Sequence, residues 1–132
     1  MYIKLTEDIQ QEDRLINRQE LEAIFEKGGK YPAIKEQLVL KAHEITAKTK
    51  VIYDSEELSI FIGQDQTGHY LSCFNKTSEE MQVELPLKAL SIEKEQNAYC
   101  VLTATDLVIL DKVLTLNIPD EGILLVKLTD EE

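Results

Sequence analysis

The feature that most limits what this chain can fold into is a change of hydrophobic period at Lys50. Before it, apolar residues recur three or four positions apart; after it, they alternate with polar ones. Ile34, Leu38, Ala42 and Ile45 share one helical face, while Lys35, Glu36, Lys41 and Glu44 lie elsewhere, the pattern of an amphipathic helix. Pro32 suits the first helical position, so this helix is predicted from Pro32 to about Lys48. Upstream, Leu15, Leu21, Ile24 and Phe25 recur at roughly helical spacing between Glu7 and Lys27, and Gly28-Gly29 stop the run. Asn17, with Glu20 three positions on, has the form of a capping box, which allows two short helices in place of one. Joined by Gly-Gly-Lys-Tyr-Pro, the two helical segments predict a hairpin.

Beyond Lys50, Val51–Tyr53 opens a short strand and Leu58–Ile62 a stronger one; a glycine-bounded turn, Gly63 to Gly68, then leads into His69–Phe74. These two runs read as a β-hairpin. In Met81–Leu87, Met81, Val83, Leu85 and Leu87 alternate with Gln82 and Glu84, the pattern of a half-buried strand. Pro86 either ends its hydrogen-bond ladder or places it at an edge. Tyr99–Thr103, Leu107–Leu110, Val113–Ile118 and Ile123–Leu128 complete the set, with breaks at Asp111-Lys112 and Pro119–Gly122. In Val113–Ile118, burial of Leu114, Leu116 and Ile118 leaves Thr115 and Asn117 toward solvent. No helical pattern separates the strands, so local antiparallel pairing is expected. The predicted class is α+β: a helical hairpin over residues 1–50, followed over residues 51–132 by an antiparallel β-sandwich of about seven to eight strands.

The formal charge of −11 is unevenly placed: residues 1–50 hold nine basic and nine acidic side chains, residues 51–132 five and sixteen. An acidic surface without a basic patch repels phosphate backbones, which argues against nucleic-acid binding. No run approaches the length of a membrane span, and the first residues contain no apolar stretch suited to a signal peptide; a cytoplasmic location is the default expectation. Cys73 and Cys100 each sit in an apolar run and read as buried thiols, since a disulfide between them would call for an exported chain.

Candidate chemistry is sparse. His43 falls on a helix and His69 at a strand start, with no metal-binding spacing around either, and the cysteines lack Cys-x-x-Cys spacing. No metal or cofactor is therefore expected. Asp106 and Asp111 border apolar strands, but turn capping and edge protection account for them, and no paired acid and base is evident. Gly28-Gly29-Lys30 reads as helix termination in place of a phosphate cradle. Asn75-Lys76-Thr77 has the form of an N-glycosylation acceptor. Trp is absent, so any sugar platform rests on tyrosine and phenylalanine; Tyr70, Phe74 and Tyr99 are the candidate binding residues, with core filling as the competing role.

The run Tyr70-Leu-Ser-Cys-Phe-Asn75-Lys-Thr-Ser-Glu-Glu80, then Met81-Gln-Val-Glu-Leu-Pro-Leu-Lys-Ala-Leu90, Thr103-Ala-Thr-Asp-Leu107 and the closing pair Leu114–Leu128 resemble the small C-terminal β-sandwich of glycoside hydrolases of the α-amylase and α-galactosidase type. The resemblance covers residues 51–129, opening at Leu58–Ile62; Val108–Asp111 stand where that domain usually has an aromatic residue and a glycine. In such hydrolases the nucleophile and acid/base belong to a barrel, so the resemblance implies no catalytic residue here. It implies an accessory domain that packs against a larger partner or another copy, with weak glycan contact. Two alternatives stay open: a carbohydrate-binding module, and a small enzyme whose site exists only in the fold.

Overall fold

The computed structural model describes residues 1–6, 12–15, 50–65, 68–92, 94, 96–101, 104–120 and 122–130. They form two β-sheets. Strands β1 (Tyr2–Lys4), β6 (Met81–Pro86), β10 (Val113–Ile118) and β9 (Ile109–Leu110) make a four-stranded sheet in the order β1-β6-β10-β9. The larger sheet runs β2-β3-β4-β5-β11-β7-β8, built from β2 (Glu12–Leu15), β3 (Lys50–Asp54), β4 (Leu58–Asp65), β5 (Gly68–Asn75), β11 (Ile123–Asp130), β7 (Gln96–Cys100) and β8 (Thr105–Leu107).

The alternation seen in the sequence becomes the interface between these sheets. Met81, Val83 and Leu85 of β6 and Leu114, Leu116 and Ile118 of β10 meet Leu58, Ile60, Leu71, Cys73, Val126 and Leu128 of the larger sheet in one buried core. Each fully buried leucine or isoleucine contributes about 1.5–3 kcal/mol relative to exposure. Thr115 is half-buried and Asn117 exposed, as the alternation requires. Pro86 closes β6, which lies between two neighbours, so it ends the ladder and is not an edge marker. The chain continues as a 3-10 turn, Leu87–Leu90, whose Leu87 N–H donates to the Lys112 carbonyl at 2.9 Å.

Two expectations need correction. The segment Glu12–Leu15 falls within the predicted first helix but forms an edge strand on β3. Glu-Asp-Arg carries no apolar stripe for a helix to bury, while the unpaired backbone of β3 supplies partners for an extended chain. The pairing is also not wholly antiparallel: β1 runs parallel to β6, with Ile3 opposite Val83. Ile3 packs on the core and Leu5 joins it, a short alternation easily passed over in so brief a segment. The sandwich thus takes strands from both ends of the chain. The expected helix over Pro32–Lys48, and with it the hairpin, lies outside the described residues.

Side chains of the opposite parity differ between the sheets. On the larger sheet Val51, Phe61, Phe74 and Leu125 are buried on the face turned away from the shared core. The smaller sheet turns outward Tyr2, Lys4, Gln82 and Asn117, all exposed. At its β9 end stand Val108 and Leu110, exposed by 58% and 70%, beside the half-buried Val113.

Candidate functional site

Tyr70, Phe74 and Tyr99 all project from the same face of the larger sheet. Leu71 and Cys73 of β5, and Ala98 and Cys100 of β7, point into the core; strand alternation then turns Tyr70, Phe74 and Tyr99 the other way. Their surroundings separate them. Phe74 is fully buried and meets Phe61 at a ring-centroid distance of 5.7 Å and an interplanar angle of 59°, a tilted packing typical of aromatic cores. It is a packing residue, not a contact surface.

Tyr70 and Tyr99 lie at the opening of that face. β11 runs between β5 and β7, and its register sets Lys127 opposite both tyrosines. On β8, Asp106 is opposite Tyr99. The four strands therefore present one transverse row: Tyr70, Lys127, Tyr99, Asp106. The Lys127 ammonium sits 5.5 Å from the Tyr70 ring centroid, within cation–π range. Tyr99 is 40% exposed and Asp106 is exposed, while Tyr70 and Lys127 are half-buried. Sequence reasoning named the two tyrosines as candidate aromatics and did not name Lys127, whose place depends on the closing strand inserting between β5 and β7.

The acids and the histidine weighed for catalysis are held apart. Asp106 projects outward from the larger sheet, whereas His69 has the opposite parity and stands opposite Leu128 of the core face. Asp111 occupies the turn between β9 and β10 in the other sheet. Among the described residues, no group of three His, Cys, Asp or Glu side chains is arranged to hold a metal ion. Cys73 and Cys100 are buried free thiols. Burial, with a smaller effect of nearby Cys100, pushes the Cys73 thiol far above its ordinary range, which keeps it protonated and unreactive.

The Asn75-Lys76-Thr77 acceptor motif is closed. The Asn75 Nδ2 group donates to the carbonyls of Glu79 at 2.8 Å, Pro119 at 3.0 Å and Ile118 at 3.3 Å. Its Oδ1 accepts from the Thr77 N–H at 2.9 Å and the Thr77 hydroxyl at 2.7 Å. With the residue 1% exposed, the amide nitrogen that a glycan would need is inside the fold.

No protein-family model matches the chain, and no curated relative matches it. Solved structures do. A GH27 β-L-arabinopyranosidase from Geobacillus stearothermophilus superposes with a TM-score of 0.57 at 21% identity, over 64% of this chain and 20% of that one. An α-galactosidase I from Mortierella vinacea gives 0.55 at 13% identity, over 63% and 23%. An α-amylase from Geobacillus thermoleovorans gives 0.54 at 18% identity, over 62% and 18%. The chain thus spans about a fifth of the length of these glycoside hydrolases, and at such identities the likeness is one of fold.

Proposed function

We propose that the chain is a noncatalytic accessory domain, equivalent to the C-terminal sandwich of a glycoside hydrolase, that packs by an apolar face against a larger partner or another copy. One observation carries the reading. Structures named for three different substrates, an arabinopyranosidase, a galactosidase and an amylase, share this sandwich over only a fifth of their length. A segment common to enzymes of different specificity suits a scaffold better than a part that selects substrate.

The outward end of the smaller sheet supports docking there. Val108 and Leu110 are large apolar side chains left in water, next to half-buried Val113, and an exposed apolar cluster of this kind is commonly a contact surface. The two buried thiols suit a reducing compartment, and no helix among the described residues is long and apolar enough to cross a membrane; the reading carries a cytoplasmic location. Asp106 and Asp111 then serve strand edges and turns.

The test is an assay of the purified chain on aryl α-galactosides, aryl β-L-arabinopyranosides and starch. No turnover above buffer is expected. Hydrolysis that falls on Asp106→Asn or Asp111→Asn would overturn the noncatalytic role.

A further inference from the structure

We propose that two copies of the chain join edge to edge at β9, a two-fold pairing that runs the four-stranded sheets of both copies into one continuous sheet. The proposal rests on the accessory reading, in which an exposed apolar cluster serves docking, and names what that cluster meets and how. The chain passes from β8, at the edge of the larger sheet, through Val108 to β9, at the edge of the smaller. Leu110 faces Val113 beside the two-residue turn, and the Val108 carbonyl accepts from the Thr115 N–H at 3.2 Å. In an antiparallel ladder the residue between two such bonded positions turns its N–H and C=O the other way. Ile109 therefore offers a donor and an acceptor to the flank, where the described residues add no strand. An edge left open in this way is a template for another strand.

What this edge fits is itself. Two β9 strands placed antiparallel about an axis through Ile109 exchange both Ile109 hydrogen bonds. Leu110 of each copy then stands opposite Val108 of the other, in the closely spaced position where side chains touch. Both are exposed in the single chain, and in the pair they cover one another, while Ile109 keeps its place on the core. The same register carries the Lys112 end of one strand to the Asp106 end of the other, twice. Asp111 and Lys112 leave that turn neutral as a whole, so each Asp106 meets an ammonium within reach and no net like charge. A self-complementary pairing of this kind consumes both edges and stops at two copies.

Size and charge set the strength. The paired strands are short, and the apolar cluster on each copy falls well below the roughly 1,200 Å² of a stable interface. Each chain also carries −11, and like net charges oppose encounter until salt screens them. A dissociation constant on the order of 0.1–1 mM is therefore expected.

The experiment is sedimentation equilibrium of the whole chain up to about 1 mM, in about 0.3 M salt, where charges more than about 8 Å apart are largely screened. A monomer–dimer equilibrium is expected, with no larger species. Leu110→Asp should abolish it, and a urea midpoint close to that of the unaltered chain separates this effect from unfolding. Lys112→Glu should weaken it about threefold to tenfold, on the scale of two exposed ion pairs, and Asp106→Lys added to Lys112→Glu should restore it. A monomer over the whole range, dimers indifferent to Leu110→Asp, assembly that continues past two copies, or no recovery in the charge-exchanged chain would overturn the edge pairing. A strictly monomeric chain would leave docking on a larger partner standing, and the noncatalytic role is decided separately by the turnover assays.

Discussion

The amide of Asn75 connects the end of β5 to the loop before β6 and to the turn between β10 and β11 through five hydrogen bonds. Removing it takes one donor each from the Glu79, Ile118 and Pro119 carbonyls and takes from Thr77 the acceptor of its N–H and hydroxyl, and losing several such bonds at once costs more than losing a single exposed one. Asn75→Ala should lower unfolding free energy by about 2–4 kcal/mol in urea, whereas Thr77→Val, which removes one hydroxyl, should cost about 1 kcal/mol. Cys73 makes a pH-dependent contribution. Its folded pKa is raised above the ordinary 9.0 by burial, so folded and unfolded chains are both protonated below pH 9 and the unfolded chain alone loses the proton above it. Stability from this group is full below pH 9 and falls above it, by up to about 1.4 kcal/mol per pH unit. Urea midpoints measured through alkaline pH should drop less steeply in Cys73→Ala.

Among the elements, the hairpin of β9 and β10 turns through Asp111 and Lys112, both with positive φ, at 52° and 61°. A two-residue loop with both residues left-handed is the type I′ turn, for which Asn-Gly is the favoured pair. Lys112→Gly should relieve about 1 kcal/mol of backbone strain and raise the melting temperature; a fall would contradict the left-handed turn. β10 was legible because a period-two pattern with one buried face allows a single register: Leu114, Leu116 and Ile118 could be assigned to the core from their spacing, whereas Leu107–Leu110, expected as one strand, is divided between β8 and β9 in different sheets. β1 and β2 were not legible, since three or four residues carry little periodicity and their partners lie far along the chain. The row at the candidate site was half legible. Spacing sets Tyr70 and Phe74 on one strand face, but the side that Tyr99 takes, the burial of Phe74 and the insertion of Lys127 between the tyrosines do not follow from local sequence; they depend on the order β5-β11-β7 and on what packs against the sheet.

At the scale of the whole molecule, the apolar residues of the smaller sheet fall into two sets. One, represented by Leu116, is consumed in joining the two sheets; the other, represented by Leu110, is left outward and is available for docking. The smaller sheet shows both sets on neighbouring strands, so a comparison within it holds fold and surroundings nearly constant. The most direct measurement is urea unfolding of Leu116→Ala against Leu110→Ala. The account predicts that Leu116→Ala loses about 2–5 kcal/mol, as expected for a fully buried leucine, and that Leu110→Ala changes stability by less than about 0.5 kcal/mol. Equal losses, or a larger loss at Leu110, would mean that the outward strip is part of the core and that the two-sheet account is wrong.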